Sequence, residues 1–162
     1  MSQPAVPDQQ VRDAALDPRH SFVIQAPAGS GKTELLIQRY LRLLSLVDEP
    51  EEVLAVTFTL KAAGEMRSRV IKALGQAEAG EAPQEPHLRR AYELAREVLG
   101  DERRRQWQLH RHPARLAIRT IDAVNAWIAG RTPMAGGGSS LQQIAASPEQ
   151  LYREAARATI GL

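Results

Sequence analysis

The chain has no cysteine, which excludes a disulfide framework, a thiolate metal site and a catalytic thiol. Four histidines are present, and none follow the spacing of a zinc-ligand set, so a resident transition-metal centre is not expected. Lys and Arg outnumber Asp and Glu by only two, so net charge argues neither for nor against a nucleic-acid partner. No apolar run approaches the ~18 residues that a membrane span needs, and MSQPAVPDQQVRD lacks the charged-then-apolar order of a secretion signal. A cytoplasmic protein with no membrane partner is the expectation. What remains, 43% hydrophobic and 25% charged over 162 residues, is the composition of one ordinary globular domain.

One octapeptide organises the rest. APAGSGKT, from Ala26 to Thr33, lies between the apolar run SFVIQ (21–25) and the helix-like run ELLIQRYLRLL (34–44). The order strand, Gly-rich loop, helix is that of a phosphate-binding P-loop. Gly29 and Gly31 free the backbone to adopt positive φ, so that successive N–H groups and a helix N-terminus converge on phosphate oxygens. Lys32 would reach the β and γ phosphates of ATP, and the Thr33 hydroxyl would ligate Mg²⁺. The expected nucleotide contacts are Ala26, Pro27, Ala28, Gly29, Ser30, Gly31, Lys32, Thr33 and Glu34, with Lys32 and Thr33 in the catalytic role. The opening glycine of the general pattern is Ala26 here. The alternative is a glycine turn with Lys32 as a solvated charge.

In chain order, residues 1–9 with Pro4 and Pro7 read as a loose arm, and VRDAAL (11–16) as a short helix ended by Pro18. SFVIQ reads as a strand buried in a parallel sheet. Asp48 and Glu49 end an apolar run, yet a parallel return needs a crossover of a dozen or more residues, so they belong to a helix-to-strand loop. EVLAVTF (52–58) is the second strand, and 59–77 a helix capped by Thr59; Gly64 within it costs about 1 kcal/mol relative to alanine. A helical insert spans 78–113. LAIRT (116–120) is a third strand, 121–130 a helix, 131–146 a Gly-rich linker, and 147–162 the start of a further helical segment with Ser147 as N-cap.

The continuation of the second strand, VTFTLKAAGEMRSRV, resembles motif Ia of the superfamily 1 DNA helicases of the UvrD, Rep and RecB type, through Thr57, Phe58, Thr59, Lys61, Ala62, Ala63, Glu65, Met66 and Arg69. RTIDAVNAWI resembles motif Ib at Thr120, Ile121 and Asp122, while Ala123 and Val124 depart from it. The long insert resembles the layout of helicase-nucleases. The resemblance implies an α/β fold, a RecA-like P-loop NTPase sheet with flanking helices, covering residues 10–130 and stopping before Walker B. It implies adenine reading by Gln10, and single-stranded DNA held by Thr57, Phe58, Thr59, Lys61, Thr120 and Asp122. The parent would be an ATP-dependent 3′ to 5′ helicase with other subunits as partners. This chain, lacking the DExxQ segment and arginine fingers, would bind nucleotide with little turnover and expose a sheet edge. The Arg103–Arg119 stretch is either a backbone-tracking surface or a solvated helix face, and Trp107 and Trp127 either stack on bases or fill a core. Two other classes are a small P-loop kinase and a non-catalytic nucleotide- or DNA-binding relic.

Overall fold

A computed structural model describes residues 9–27, 29–101, 104, 106–131 and 149–160. Its contacts divide the chain into two units after Val124, and each is described by itself.

In the first unit, helix α1 (Gln9–Ala14) precedes an irregular stretch, and helix α2 (Lys32–Leu44) starts inside the octapeptide. α2 buries Leu35, Ile37, Tyr40, Leu41 and Leu44, the single stripe that a 3.6-residue period permits. A 3₁₀ turn at Pro50–Glu52 leads into strand β1 (Ala55–Thr57), then helix α3 (Leu60–Ala79) and helix α4 (Pro86–Leu99). A second 3₁₀ turn, Pro113–Arg115, leads into strand β2 (Ile118–Thr120), which runs on into helix α5 (Ile121–Arg131). Asp48 and Glu49 fall in the loop between α2 and β1, where the crossover argument puts them.

β1 and β2 pair in parallel, with Ala55 opposite Ile118, Val56 opposite Arg119 and Thr57 opposite Thr120. Helices α3 and α4 make the crossover that a parallel pair requires. They pack on each other, and α4 packs on α2. The core lies between these helices and β2: Leu41, Leu44, Val70, Ala95, Val98 and Ile118 are fully buried. Each large member contributes on the order of 1.5–3 kcal/mol. The phenol of Tyr40 donates to the Val53 carbonyl at 3.2 Å, tying α2 to the approach of β1, and burial pushes its pKa well above the ordinary range. Successive carbonyls of a strand point to opposite sides. Ala117 O takes the Ala55 N–H, so Ile118 O faces away from β1, where Arg67 holds it at 2.6 Å.

The expected first strand is corrected. Among the described residues the sheet has two strands, and Ser21–Gln25 lies outside it with no regular secondary structure. Val23 is 99% exposed, because an apolar run is buried as a strand only when neighbouring strands and helices cover it, and no ladder covers this one. Instead Arg39 of α2 holds the segment from the side. Its guanidinium donates to the carbonyls of Ala15, Asp17 and His20 and lies 5.3 Å from the centre of the Phe22 ring.

The strands are shorter than the expected 52–58 and 116–120, and the first helix begins two residues earlier than expected. Thr59 caps α3 through Oγ1, which accepts the Ala62 N–H at 3.1 Å. In the second unit, helix α6 spans Glu149–Ile160, and Arg131 lies 4.4 Å over the Trp127 ring. The N-terminal arm up to residue 8, the linker 132–146, and the Ser147 cap lie outside the described residues. Among the described residues no helix is long and apolar enough to cross a membrane.

Candidate nucleotide-binding site

The octapeptide closes around its lysine. Lys32 Nζ donates to the carbonyls of Ala26 and Pro27, 2.5 Å from each. Gly29 and Gly31 have φ of 78° and 79°, the left-handed conformation that a side chain resists. Gly31 is the N-cap of α2, and its carbonyl accepts the Leu35 N–H at 3.1 Å, the first helical bond. The N–H groups of the first turn of α2 therefore have no helical partner and lie at the positive end of the helix dipole.

Thr33 is exposed at this end, and Glu34 stands next to it with one carboxylate oxygen 3.4 Å from the Gln38 amide. Ser30 Oγ is buried with no hydrogen-bond partner, a polar atom that a ligand would satisfy. Ala28 lies outside the described residues.

Beside the loop is a cavity of about 200 Å³, lined among others by Val11, Arg12, Phe22, Gln25, Ser30 and Lys32. Its wall is mostly apolar and includes two cations, Arg12 and Lys32. Gln10 is exposed on α1 and does not line it; Val11 and Arg12 do. Arg12 Nη2 donates to the Ser30 carbonyl at 2.8 Å, a contact that spacing along the chain did not suggest. These residues fit a magnesium-bound nucleoside triphosphate. A larger cavity of about 480 Å³ between α3 and α4 shares no lining residue with the loop.

The motif Ia and Ib residues meet at the C-terminal ends of the two strands. Thr57 and Thr120 are register partners, and each strand passes within a few residues into a helix N-terminus. Thr57 Oγ1 donates to the Thr59 carbonyl at 3.0 Å. Thr120 is 6% exposed, and its Oγ1 accepts the Ala123 N–H at 3.2 Å, so the hydroxyl oxygen is engaged in capping α5. Phe58 is 86% exposed, and Lys61 and Asp122 are exposed in the first turns of α3 and α5.

The arginine surface expected over 103–119 is corrected at two positions. Arg115 donates to Glu51 at 2.7 Å and to Glu49 at 2.6 Å. Arg104 donates to the Val47 carbonyl at 3.3 Å and pairs with Asp101. Both guanidiniums are fastened to the loop after α2. Arg103 and Arg105 lie outside the described residues. Trp107 is a core side chain.

The model of the UvrD/REP helicase N-terminal domain matches residues 7–153. The chain belongs to that family. Its P-loop NTPase fold accords with the loop, the helix that follows it and the parallel strand pair, and the membership sets the small-kinase class aside. The chain is 43% identical over 70 residues to DNA helicase II of Escherichia coli, covering 43% of this chain and 10% of that protein. It is 46% identical over 82 residues to an ATP-dependent helicase/nuclease of Desulfitobacterium hafniense, covering 48% of this chain and 6% of that protein. The ATP-dependent DNA helicase UvrD2 of Mycobacterium tuberculosis is 47% identical over 64 residues, 39% of this chain and 9% of that protein. The matched regions thus span a tenth or less of these relatives. No solved structure matches the chain.

Proposed function

We propose that this chain is the ATP-binding and single-stranded-DNA-binding N-terminal portion of a 3′ to 5′ DNA helicase or helicase-nuclease, acting with other subunits in the complete protein. The reading takes residues 10–130 as part of a RecA-like domain carrying the helical insert 78–113. Residues 131–146 are its linker and 147–162 the start of the next segment. The loop from Ala26 to Thr33 would hold the triphosphate, with Lys32 donating to the β and γ oxygens, Ser30 Oγ gaining a partner and Thr33 ligating Mg²⁺. The bound metal supplies neutralisation of phosphate charge.

DNA runs across the strand ends, with the Phe58 ring as a stacking face and the N-termini of α3 and α5 as phosphate donors. Turnover and unwinding belong to the complete protein, since translocation needs a cleft that closes on ATP.

The observation that carries this reading is the loop itself, two left-handed glycines and a lysine already seated at its centre. The test is titration with a fluorescent ATP analogue and Mg²⁺, with and without a short oligo-dT, in wild type and Lys32→Ala. Binding that requires Lys32 and shifts with oligo-dT is expected. Affinity unchanged in Lys32→Ala would overturn the assignment of the loop.

A further inference from the structure

The side chain of Arg12, outside the octapeptide, holds the octapeptide's backbone. The guanidinium, carried by α1, donates through Nη2 to the Ser30 carbonyl at 2.8 Å across 18 residues of chain. Nη1 lies 3.5 Å from the point where a Cβ on Gly31 would stand, so the guanidinium is laid against that glycine. In a trans peptide the C=O and N–H vectors point in opposite directions. Fixing the Ser30 carbonyl toward α1 therefore turns the Gly31 N–H away from it, at the one peptide that joins the loop to the left-handed cap of α2.

A glycine at φ 79° gives that peptide little steric reason to keep one orientation. A charge-assisted hydrogen bond supplies one.

We propose that Arg12 is a positioning residue of the phosphate loop. It clamps the Ser30–Gly31 peptide so that the Gly31 N–H is aimed at an anion before the anion arrives. The ligand class is the polyphosphate chain of a nucleotide, and the inference rests on the nucleotide-binding reading above. Pre-orientation removes a cost that a flipping peptide would otherwise charge against binding.

The test uses the full chain and inorganic tripolyphosphate with Mg²⁺, which has no base or sugar and so reports on the loop alone. Calorimetry is run on wild type, Arg12→Ala and Arg12→Lys, together with nitrogen-15 glycine spectra of the ligand-free proteins. Gly31 is assigned by its loss in Gly31→Ala. In Arg12→Ala the affinity is expected to fall about tenfold and the ligand-free Gly31 resonance to move. Arg12→Lys, which keeps one donor, recovers part of both. Equal affinities in wild type and Arg12→Ala, or an unmoved Gly31 resonance, would overturn the clamp. So would a ligand-free unfolding midpoint that drops in step with affinity and is not recovered by lysine, since that is the mark of a scaffold role. A wild type that does not bind tripolyphosphate at all overturns the nucleotide reading, and with it the purpose assigned to Arg12. That failure is distinct from the others because it appears before any substitution is made.

Discussion

The Trp107 indole N–H donates to the carbonyl of Asp48 at 3.2 Å, and the ring is 4% exposed, so a residue of the insert seals the loop that follows α2. Trp107→Phe keeps most of the buried area and leaves that carbonyl without its donor, at a cost of about 1 kcal/mol. Trp107→Ala opens a cavity and costs about 3–5 kcal/mol. Urea unfolding followed by circular dichroism measures both. The chain has two tryptophans, so a Trp127→Phe protein reports Trp107 alone. Its emission should be that of a buried indole, unquenched by oligo-dT. Quenching there would return Trp107 to the DNA surface.

The ion pairs of Arg115 with Glu49 and Glu51 give the chain an acid-sensitive clasp. The hydrogen bond from Arg115 holds the Glu51 carboxyl below the usual glutamate range. A carboxyl with a depressed folded pKa is more readily protonated in the unfolded chain, so its stabilisation is full above the ordinary glutamate pKa and is lost as pH falls through the lower, folded value. Both partners are partly exposed, which limits the pair to about 1 kcal/mol or less at neutral pH. Thermal midpoints of wild type and Arg115→Gln should therefore differ near pH 7 and converge as pH falls below the ordinary glutamate range. Asp17, held low chiefly by the Arg19 side chain, contributes its own acid dependence to both proteins, so neither curve is flat. Curves that stay parallel down to the lowest pH would show that the clasp carries no stability.

Gly64 sits inside α3, exposed, with open space where a Cβ would go. Its helical backbone suits an L-residue, and Gly64→Ala should raise stability by about 0.5–1 kcal/mol through lost unfolded-state freedom. The same change at Gly31 meets a left-handed φ and the Arg12 guanidinium, and should lower both stability and nucleotide affinity. Thermal midpoints moving in opposite directions check the pair. A fall for Gly64→Ala would mean that this face of α3 is covered in solution.

What could be read from the sequence is what neighbours in the chain determine. The octapeptide, the start of α2 beside it and the Thr59 cap rest on contacts within a few residues, and the loop placement of Asp48 and Glu49 on the length a parallel crossover needs. Helix α4 followed from the apolar spacing of its residues. The fate of Ser21–Gln25 did not follow from its composition, because a buried strand is defined by the strands on either side and not by its own apolar residues. Arg115 meets Glu51 across 64 residues, and Arg104 meets Val47 across 57. An arginine-rich stretch looks the same on paper whether its cations face solvent or carboxylates. Arg12 was hidden for a related reason: its partner is a backbone carbonyl, which leaves no residue-type signal.

The exposed apolar side chains of the first unit lead to a last prediction. β1 is hydrogen-bonded along the edge that faces β2, and Val56 in its middle is 48% exposed. Val23 is 99% exposed on an irregular segment outside the sheet. Each such side chain forgoes on the order of 1.5–3 kcal/mol of burial, and a strand edge with apolar flanks invites pairing with another chain. Sedimentation velocity on the isolated chain should therefore show association that grows with concentration. Val56→Lys places charge on β1 without touching the loop, the cavity beside it or the strand-end threonines. It should shift the population to monomer while leaving Lys32-dependent nucleotide binding in place. A wild type that sediments as a monomer at all concentrations, with a sharp thermal transition independent of concentration, would count against this and would mean that the exposed segments are held apart in solution by their own unit.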